Sequence, residues 1–339
     1  MLIVSGGGGR AVAVVAAAFD AARVSALFYF FMMSTENKEA DMVMCCASCG
    51  IAGVDDVKLM DCDDGCDLVK YCSDKCQKNH REQHEEECKK RMTELRDKDL
   101  FTMPDNSCYG ECPICCLPLP LDLQKSVMMA CCSKRICHGC CHANKKREFE
   151  AGLENRCVFC REPAPETQEE VIKRSMNRIK KNCPVAMRHM GTKRYYEGDF
   201  KIALEYFTKA VELGDIEAHY VLSRMYYNGE GVEKDKDKEI FHLEEAAIGG
   251  DPAARFGLGC IEVMNGNFER AAKHFIIAAN LGDDKSLELI KDLYAMGHAR
   301  KEDYADALRA YQAAVDAAKS AEREVAEAYY KIVAASREE

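Results

Sequence analysis

The second half of the chain carries a helical pattern of hydrophobic and polar positions. Between residues 166 and 339, apolar residues recur at spacings of three and four among many Ala, Glu, Lys and Leu residues. This spacing places apolar side chains on one face of an α-helix. Short glycine-containing turns interrupt the pattern at intervals. The sequence therefore predicts an almost wholly helical region built from several short helices.

The helical region also repeats itself. Four segments share a layout in which an aromatic or apolar helix end is followed by glycine, a turn and a second helix with a pair of small residues. They are YYEGDFKIALEYFTKAVELGD, YYNGEGVEKDKDKEIFHLEEAAIGGD, EVMNGNFERAAKHFIIAANLGD and YAMGHARKEDYADALRAYQAAVDAA. A period of about thirty to forty residues is typical of helical-hairpin solenoids. We expect a solenoid over 185–320 and a helix over 321–339 that caps it.

Glycine and aspartate mark the predicted ends of these helices. Glycine can adopt the left-handed conformation that ends a helix, and aspartate can cap the next helix. The glycines are Gly214, Gly250 and Gly282, and the aspartates are Asp215, Asp251 and Asp283. The layout resembles Sel-one-like repeats, which are related to the tetratricopeptide repeat, most closely at 216–250. That resemblance implies an all-α array that binds peptides or partner proteins.

Cysteine dominates the first half of the chain. All but Cys183 and Cys260 of the 21 cysteines lie between residues 45 and 160. Such density indicates disulfides in a small secreted domain, whereas short-spaced pairs with interleaved histidine indicate zinc. The pairing, the cysteine-poor helical half and the absence of a clear signal peptide favour zinc. We therefore expect an intracellular protein, cytoplasmic or nuclear.

The first cysteine-rich module is predicted over 42–95. Its cysteines and histidine form four short-spaced pairs, which supply the eight ligands of two tetrahedral zinc ions. The pairs are Cys46/Cys49, Cys62/Cys66, Cys72/Cys76 and His84/Cys88. The order resembles the MYND finger, through Tyr71-Cys72-Ser73 and Cys76-Gln77. The resemblance implies interleaved ligation, in which the first and third pairs share one ion and the second and fourth share the other.

Two ligand choices in this module stay open. Cys45 is adjacent to Cys46 and could replace it as the first ligand. His80 stands where the family usually has tryptophan, and it is either a substitute ligand or an exposed helix residue. The second pair is also spaced by three residues rather than the family's two. None of these departures removes a ligand from the predicted sites.

The second module is predicted over 105–165. CPIC, ACCSKRICHGCC and CVFCR resemble a RING finger of the variant that uses cysteine at all eight positions. The resemblance implies one site from Cys112, Cys115, Cys137 and Cys140. Cys132, Cys157 and Cys160 would belong to the other site, with either Cys131 or His138 as its fourth ligand. The two modules together would hold about four structural zinc ions.

The resemblance to a RING finger also raises a catalytic alternative. In RING-type ubiquitin ligases, an apolar residue inside the first cysteine pair contacts the conjugating enzyme, and Ile114 has that position. A cation after the last cysteine contacts ubiquitin, and Arg161 has that position. The usual proline of the last pair is replaced by Val158-Phe159. A ubiquitin ligase whose repeats recruit substrate and a module that only binds proteins are both consistent with these residues.

Composition narrows the remaining functions. The net charge is −10, which disfavours a general nucleic-acid binder, although 181–194 is locally basic. Fully ligated zinc has no open position for water or substrate, and no other catalytic constellation is evident. Residues 1–41 are predicted to be a disordered extension or a transit peptide, and their apolar runs are too short to span a membrane. The sequence thus favours a multidomain adaptor with two cross-braced zinc modules and a helical solenoid.

Overall fold

A computed structural model describes residues 45–51, 53 and 58–335. The chain divides into two compact units, at 1–98 and 99–339. The extension predicted over 1–41 lies outside the described residues. Within the described ranges, no helix is both long enough and apolar enough to cross a membrane.

The first unit contains a small antiparallel ladder and the start of a long helix. Strand β1 (Met60–Asp61) pairs with β2 (Lys70–Tyr71), and helix α1 runs from Asp74 to Phe101. The buried cluster consists of Tyr71 and four cysteines (Cys46, Cys62, Cys66 and Cys88). An apolar cluster of this size cannot offset the loss of chain entropy on folding, so the module depends on another source of stability.

The second unit begins with another cysteine-rich module. Strand β3 (Ser126–Met128) pairs antiparallel with β4 (Arg135–Cys137), and helix α2 (His138–Glu150) follows directly. Leu119 and Ile136 join three cysteines in the buried cluster. Here too, the described core is small and rich in thiols.

Ten further helices lie in the described part of the second unit. They are α3 (Gln168–Ile179), α4 (Pro184–Tyr196), α5 (Phe200–Glu212), α6 (Ile216–Asn228), α7 (Lys236–Ile248), α8 (Pro252–Met264), α9 (Phe268–Asn280), α10 (Asp284–Ala295), α11 (Lys301–Ala317) and α12 (Ala321–Ala335). Helices α4 to α9 form three successive hairpins, and α10 and α11 form a fourth. This arrangement is the helical solenoid that the sequence predicts.

Glycine allows the two helices of a hairpin to approach closely. A Cβ atom on Gly191 of α4 would lie 3.0 Å from the ring of Phe207 on α5. At the equivalent position of α8, a Cβ atom on Gly259 would lie 2.4 Å from the ring of Phe275 on α9. Both phenylalanines are fully buried. Each glycine therefore admits the aromatic ring that fills the core of its hairpin.

The predicted turn residues have the expected roles. Gly214, Gly250 and Gly282 have φ values of 85°, 85° and 97°. The side chain of the following aspartate accepts hydrogen bonds from backbone amides at the start of the next helix, as Asp251 does from Ala253 and Ala254. These caps satisfy amide groups that the helix itself leaves unpaired.

The cysteine-rich module of the second unit is joined to the repeats by a largely buried ion-pair network. Glu217 on α6 accepts hydrogen bonds from Arg135 on β4, at 3.1 and 3.2 Å, and from Arg188 on α4, at 2.7 Å. Arg188 also donates to Asp215 at 2.8 Å. The predicted modules over 105–165 and 185–320 both lie within the second compact unit.

Helix α12 has a different neighbour from the one that the sequence suggests. The predicted role of 321–339 is a cap on the solenoid. In the structure, α12 packs against α2 of the cysteine-rich module, with Tyr330 4.4 Å from the ring of His138. The final helix therefore contacts the zinc-type module directly.

We predict that Glu217→Ala destabilises the second unit by about 1–3 kcal/mol. The substitution leaves the largely buried Arg135 without this carboxylate and leaves Arg188 with Asp215 as its carboxylate partner, and removing one member of a desolvated ion pair is costly. Urea unfolding followed by circular dichroism measures the loss. The exposed Glu212→Ala is the matched control and should change stability by less than about 0.5 kcal/mol. Equal unfolding midpoints for the two variants would contradict the assigned role of Glu217.

Candidate metal centres

Among the described residues, sixteen cysteine and histidine side chains converge in four groups of possible metal ligands. In each group, the four ligand atoms all lie within 4.8 Å of one another. The groups are Cys46, Cys49, Cys72 and Cys76; Cys62, Cys66, His84 and Cys88; Cys112, Cys115, Cys137 and Cys140; and Cys131, Cys132, Cys157 and Cys160. In both modules, pairs alternate along the chain between two groups, so each module is cross-braced.

The first unit holds two of the groups. Cys72 Sγ lies 3.5 Å from Cys49 Sγ and 3.6 Å from Cys76 Sγ. In the other group, Cys62 Sγ lies 3.8 Å from Cys88 Sγ. The contacts of Cys49 with Cys72 and of Cys62 with Cys88 bring together sulfurs of residues 23 and 26 positions apart in the sequence.

His84 presents one ring nitrogen to its group. Its Nε2 atom lies 3.1 Å from Cys66 Sγ. The His84 residue is only 4% exposed. His84 and Cys88 are four residues apart on α1, which places both on one face of the helix. A bidentate ion pair from Arg91 to Asp67 holds the loop that follows Cys66 against the same helix.

The second unit holds the other two groups. Cys115 Sγ lies 3.9 Å from Cys137 Sγ, and Cys132 Sγ lies 3.7 Å from Cys157 Sγ. Strand β4 ends at Cys137 and α2 begins beside it, so Cys140 lies on the first turn of that helix.

The adjacent cysteines 131 and 132 both belong to the last group. Cys131 Sγ lies 3.3 Å from Cys160 Sγ. His138, the alternative fourth ligand, instead lies against Tyr330. The geometry thus favours four sulfurs over three sulfurs and an imidazole.

One backbone turn recurs at the first cysteine of three pairs. In each, the amide of the residue four positions after the cysteine donates to the cysteine carbonyl, and the cysteine amide donates to the carbonyl five positions ahead. The turns begin at Cys46, Cys112 and Cys157. Their fourth following residues, Gly50, Cys116 and Arg161, all have positive φ. This turn aims the two sulfurs of a C-x2-C pair at one point.

The same turns stabilise thiolates. Burial acts to raise the pKa of Cys46, but hydrogen bonds from the backbone amides of Cys49, Cys72 and Ser48 lower it to about 6. At Cys112, burial likewise acts to raise the pKa. Hydrogen bonds from backbone amides outweigh burial there, and the pKa falls to about 7. Backbone N–H groups aimed at sulfur favour the charged form that binds metal.

Crowded thiols oppose further ionisation. Hydrogen bonds with the thiols of Cys49 and Cys76 raise the pKa of Cys72 to about 12. Burial and the neighbouring thiols of Cys66 and Cys62 raise the pKa of Cys88 to about 12. Four thiolates at one point repel one another unless a cation lies between them.

The four groups fit structural zinc. Tetrahedral zinc with bonds of about 2.3 Å separates its sulfurs by about 3.8 Å, and the sulfur–sulfur distances above run from 3.3 to 3.9 Å. A disulfide bond of about 2.05 Å is far shorter, and all 21 cysteines are free. Cysteine sulfur and histidine nitrogen are the donors that zinc prefers.

The two alternative ligands Cys45 and His80, and two further cysteines, lie outside the groups. Cys45 is exposed beside Cys46, and His80 Nδ1 lies 3.1 Å from the hydroxyl of Tyr71. Cys108 donates to Asp251, and Cys141 is buried with a pKa that burial raises. Their surroundings are polar contacts or packing rather than a second set of converging sulfurs.

The two residues considered as conjugating-enzyme contacts are both exposed. Ile114 is 44% exposed inside the turn of Cys112. Arg161 follows Cys160 and has φ 61° in the turn that begins at Cys157. Both side chains are accessible, and each lies at the rim of a different cysteine group.

One residue near these centres is not apparent from the sequence. Arg323 of α12 donates to Cys115 Sγ at 3.5 Å, although 208 residues separate them. No motif links the two positions, so sequence analysis alone could not find this contact.

Comparison with known families identifies two kinds of module. The MYND finger model matches residues 46–88. The Sel1 repeat model matches 184–215, 216–251 and 253–283. The chain therefore contains a MYND zinc finger and a solenoid with three Sel1 repeats, and its second cysteine-rich module fits a further zinc module. Modules of these two types support a role in protein–protein interaction.

Individual relatives cover only part of the chain. Chitin synthase regulatory factor 4 of Schizosaccharomyces pombe is 29% identical over 110 residues, which are 32% of this chain and 15% of that protein. A protective antigen of uropathogenic Escherichia coli strains with an SLR fold is 28% identical, with a TM-score of 0.37, over 44% of this chain and 33% of that one. A Sel1 repeat protein from Oxalobacter formigenes is 25% identical, with a TM-score of 0.40, over 50% of each chain.

Proposed function

We propose that this protein is an adaptor that binds partner proteins through its repeats and its zinc modules. The observation that carries this proposal is a line of exposed apolar side chains on the repeats. Tyr196, Tyr227 and Met264 are 82%, 64% and 77% exposed. Each lies two residues before the turn glycine of its hairpin. Equivalent positions in stacked repeats lie along one edge of a solenoid.

Exposed side chains of this size favour contact with another protein. Three large apolar side chains at equivalent repeat positions form a regularly spaced surface, and such surfaces mark interaction sites. Aromatic residues and methionine are also enriched at protein interfaces. Tyr195 lies beside this line and donates to Glu230 at 2.7 Å, which fixes the chain next to the exposed ring of Tyr196.

In this proposal, zinc holds recognition surfaces in place. We propose the sixteen residues of the four groups as its ligands, with Cys131 rather than His138 in the last group. We also propose module boundaries at 42–95 and 105–165, a RING-like identity for the second module, and a solenoid over 185–320. An intracellular location suits these sites, because reducing conditions keep unmetallated thiols from pairing.

We predict that the purified chain contains about four zinc ions, one for each ligand group. His84→Ala, Cys72→Ala and Cys112→Ala should each remove about one, because a structural site with three protein ligands binds zinc less tightly. Elemental analysis after gel filtration measures the ratio of zinc to protein. His80→Ala is the matched control and should retain all four. A wild-type chain with disulfides in place of metal would overturn the ligand assignment.

We predict that the line of exposed residues determines partner capture. The full chain carrying Tyr196→Ser, Tyr227→Ser and Met264→Ser should lose most bound protein in quantitative affinity capture. Each side chain is exposed, so the variant should retain its helical circular dichroism. A control with three exposed lysines of the first two hairpins replaced by serine (Lys201, Lys209 and Lys236) should retain the partners. Equal capture by both variants would show that the repeats bind elsewhere or not at all.

A RING-type ubiquitin ligase is the second candidate. It is supported by the cross-braced pairs of 112–160 and by the exposure of Ile114 at the rim of the first pair. In that case the module would position a conjugating enzyme, and the repeats would recruit the substrate. The chain itself would supply no nucleophile.

We predict that any ligase activity depends on Ile114 and Arg161. Autoubiquitination by the full chain, with a panel of conjugating enzymes, should fall at least about tenfold in the double variant Ile114→Ala, Arg161→Asn, which corresponds to about 1.4 kcal/mol. Asparagine is chosen at 161 because it tolerates the positive φ. Leu153→Ala, which is 64% exposed, is the control. Activity that survives in the double variant would exclude this mechanism. If the wild type is inactive, the adaptor remains as the only proposed function.

A further inference from the structure

The C-terminal helix lies against the third cysteine group. We propose that Arg323 of α12 stabilises the thiolates of Cys112, Cys115, Cys137 and Cys140 from outside the ligand set, so that α12 is part of this metal centre. The inference rests on the proposed zinc ligation of that group. It assigns to α12 a function that neither the repeats nor the zinc ligands explain.

The guanidinium of Arg323 faces the turn that carries the first ligand pair. Its Nη2 donates to Cys115 Sγ at 3.5 Å and to the carbonyl of Leu117 at 3.3 Å. Its Nη1 donates to the carbonyl of Pro118 at 2.7 Å and to that of Ala318 at 2.7 Å. One planar cation therefore contacts both a ligand sulfur and the backbone that follows it.

The turn between the second pair of ligands approaches the same part of α12. Gly139 lies between Cys137 and Cys140, and a Cβ atom on it would lie 2.8 Å from the backbone nitrogen of Arg323. Glycine at this position therefore allows the start of α12 to approach the turn of α2 that carries Cys140. The residues around Arg323 touch both halves of the ligand set.

The body of α12 keeps Arg323 in this position. Tyr330 lies 4.4 Å from the ring of His138, and Tyr329 lies 4.7 Å from that of His142. Glu327 pairs with Lys125, just before β3, at 3.3 Å. Ala326, on the inner face of the helix, is fully buried. These contacts run along α12 for two turns beyond Arg323, so the guanidinium is held by a packed helix and not by a free chain end.

The charge of the centre explains why an arginine is useful there. Four thiolates around a divalent zinc ion leave a net charge of about −2. A guanidinium in hydrogen-bond contact offsets part of that charge, and charge-assisted hydrogen bonds are stronger than neutral ones. Residues that contact metal ligands from outside commonly change metal affinity by about tenfold to a hundredfold.

The experiment measures zinc retention by the full chain. Arg323→Ala should weaken zinc at this one centre by about tenfold to a hundredfold in competition with a chromogenic chelator, and the other three zinc ions should be retained as in the wild type. Arg323→Lys keeps the charge but loses the planar fork, so it should recover part of the affinity. Arg309→Ala, an exposed arginine on α11, is the matched control.

Cadmium NMR of the substituted chain gives an independent readout. Each centre should give its own resonance, and Cys112→Ala identifies the resonance of this centre by removing it. Arg323→Ala should shift that resonance alone, because it removes a hydrogen bond to a ligand sulfur. Tyr330→Ala loosens α12 without removing this donor, so its effect on the resonance should be smaller.

Two results would overturn the inference. One is unchanged zinc retention in Arg323→Ala with an unshifted cadmium resonance. The other is equal weakening of all four centres, which would indicate general loss of stability. Failure of the proposed zinc ligation looks different, because the wild-type chain would then contain fewer than four zinc ions before any arginine is replaced.

Discussion

The convergence of sulfur atoms is the interaction on which the first half of this protein depends. Its two cysteine-rich modules have short strands, few buried apolar side chains and long irregular segments. Hydrophobic burial on this scale cannot fix such a chain in one conformation. Metal binding supplies folding free energy directly. The thiol groups therefore have the place that a hydrophobic core has in the repeats.

The repeats are stabilised by hydrophobic packing instead of converging sulfur atoms. Gly191 and Gly259 admit phenylalanine rings, and the alanines at the centre of each hairpin are fully buried. The repeat helices thereby bury three successive apolar clusters, and none of the four described ligand groups lies among them. The cysteine-rich module of the second unit is attached to this core through Glu217 and its two arginines. A metal-dependent fold and a metal-independent fold are thus joined by buried charge and form one compact unit.

The sequence predicted most of this architecture because its signals are local. Cysteine pairs, helical periodicity and Gly-Asp turns each lie within a few residues, so the hairpins and the order of the pairs could be inferred directly. The local cysteine spacing does not decide between Cys131 and His138 as the fourth ligand of the last group. Residues 129–133 form the same turn as the other cysteine pairs, but Met129 takes the place of the first cysteine. Cys131 and Cys132 can then both face one group, although adjacent cysteines seldom do.

The position of α12 could not be predicted for a related reason. Its sequence is that of an amphipathic helix after a repeat array, and periodicity shows which face is apolar but not what covers that face. The deciding residues are Gly139, whose lack of a side chain permits close approach, and Arg323, whose charge suits an anionic centre. Neither residue belongs to a motif. A helix that follows a solenoid in the sequence can therefore serve the metal centre of another module, and its contribution is visible only when both are seen folded together.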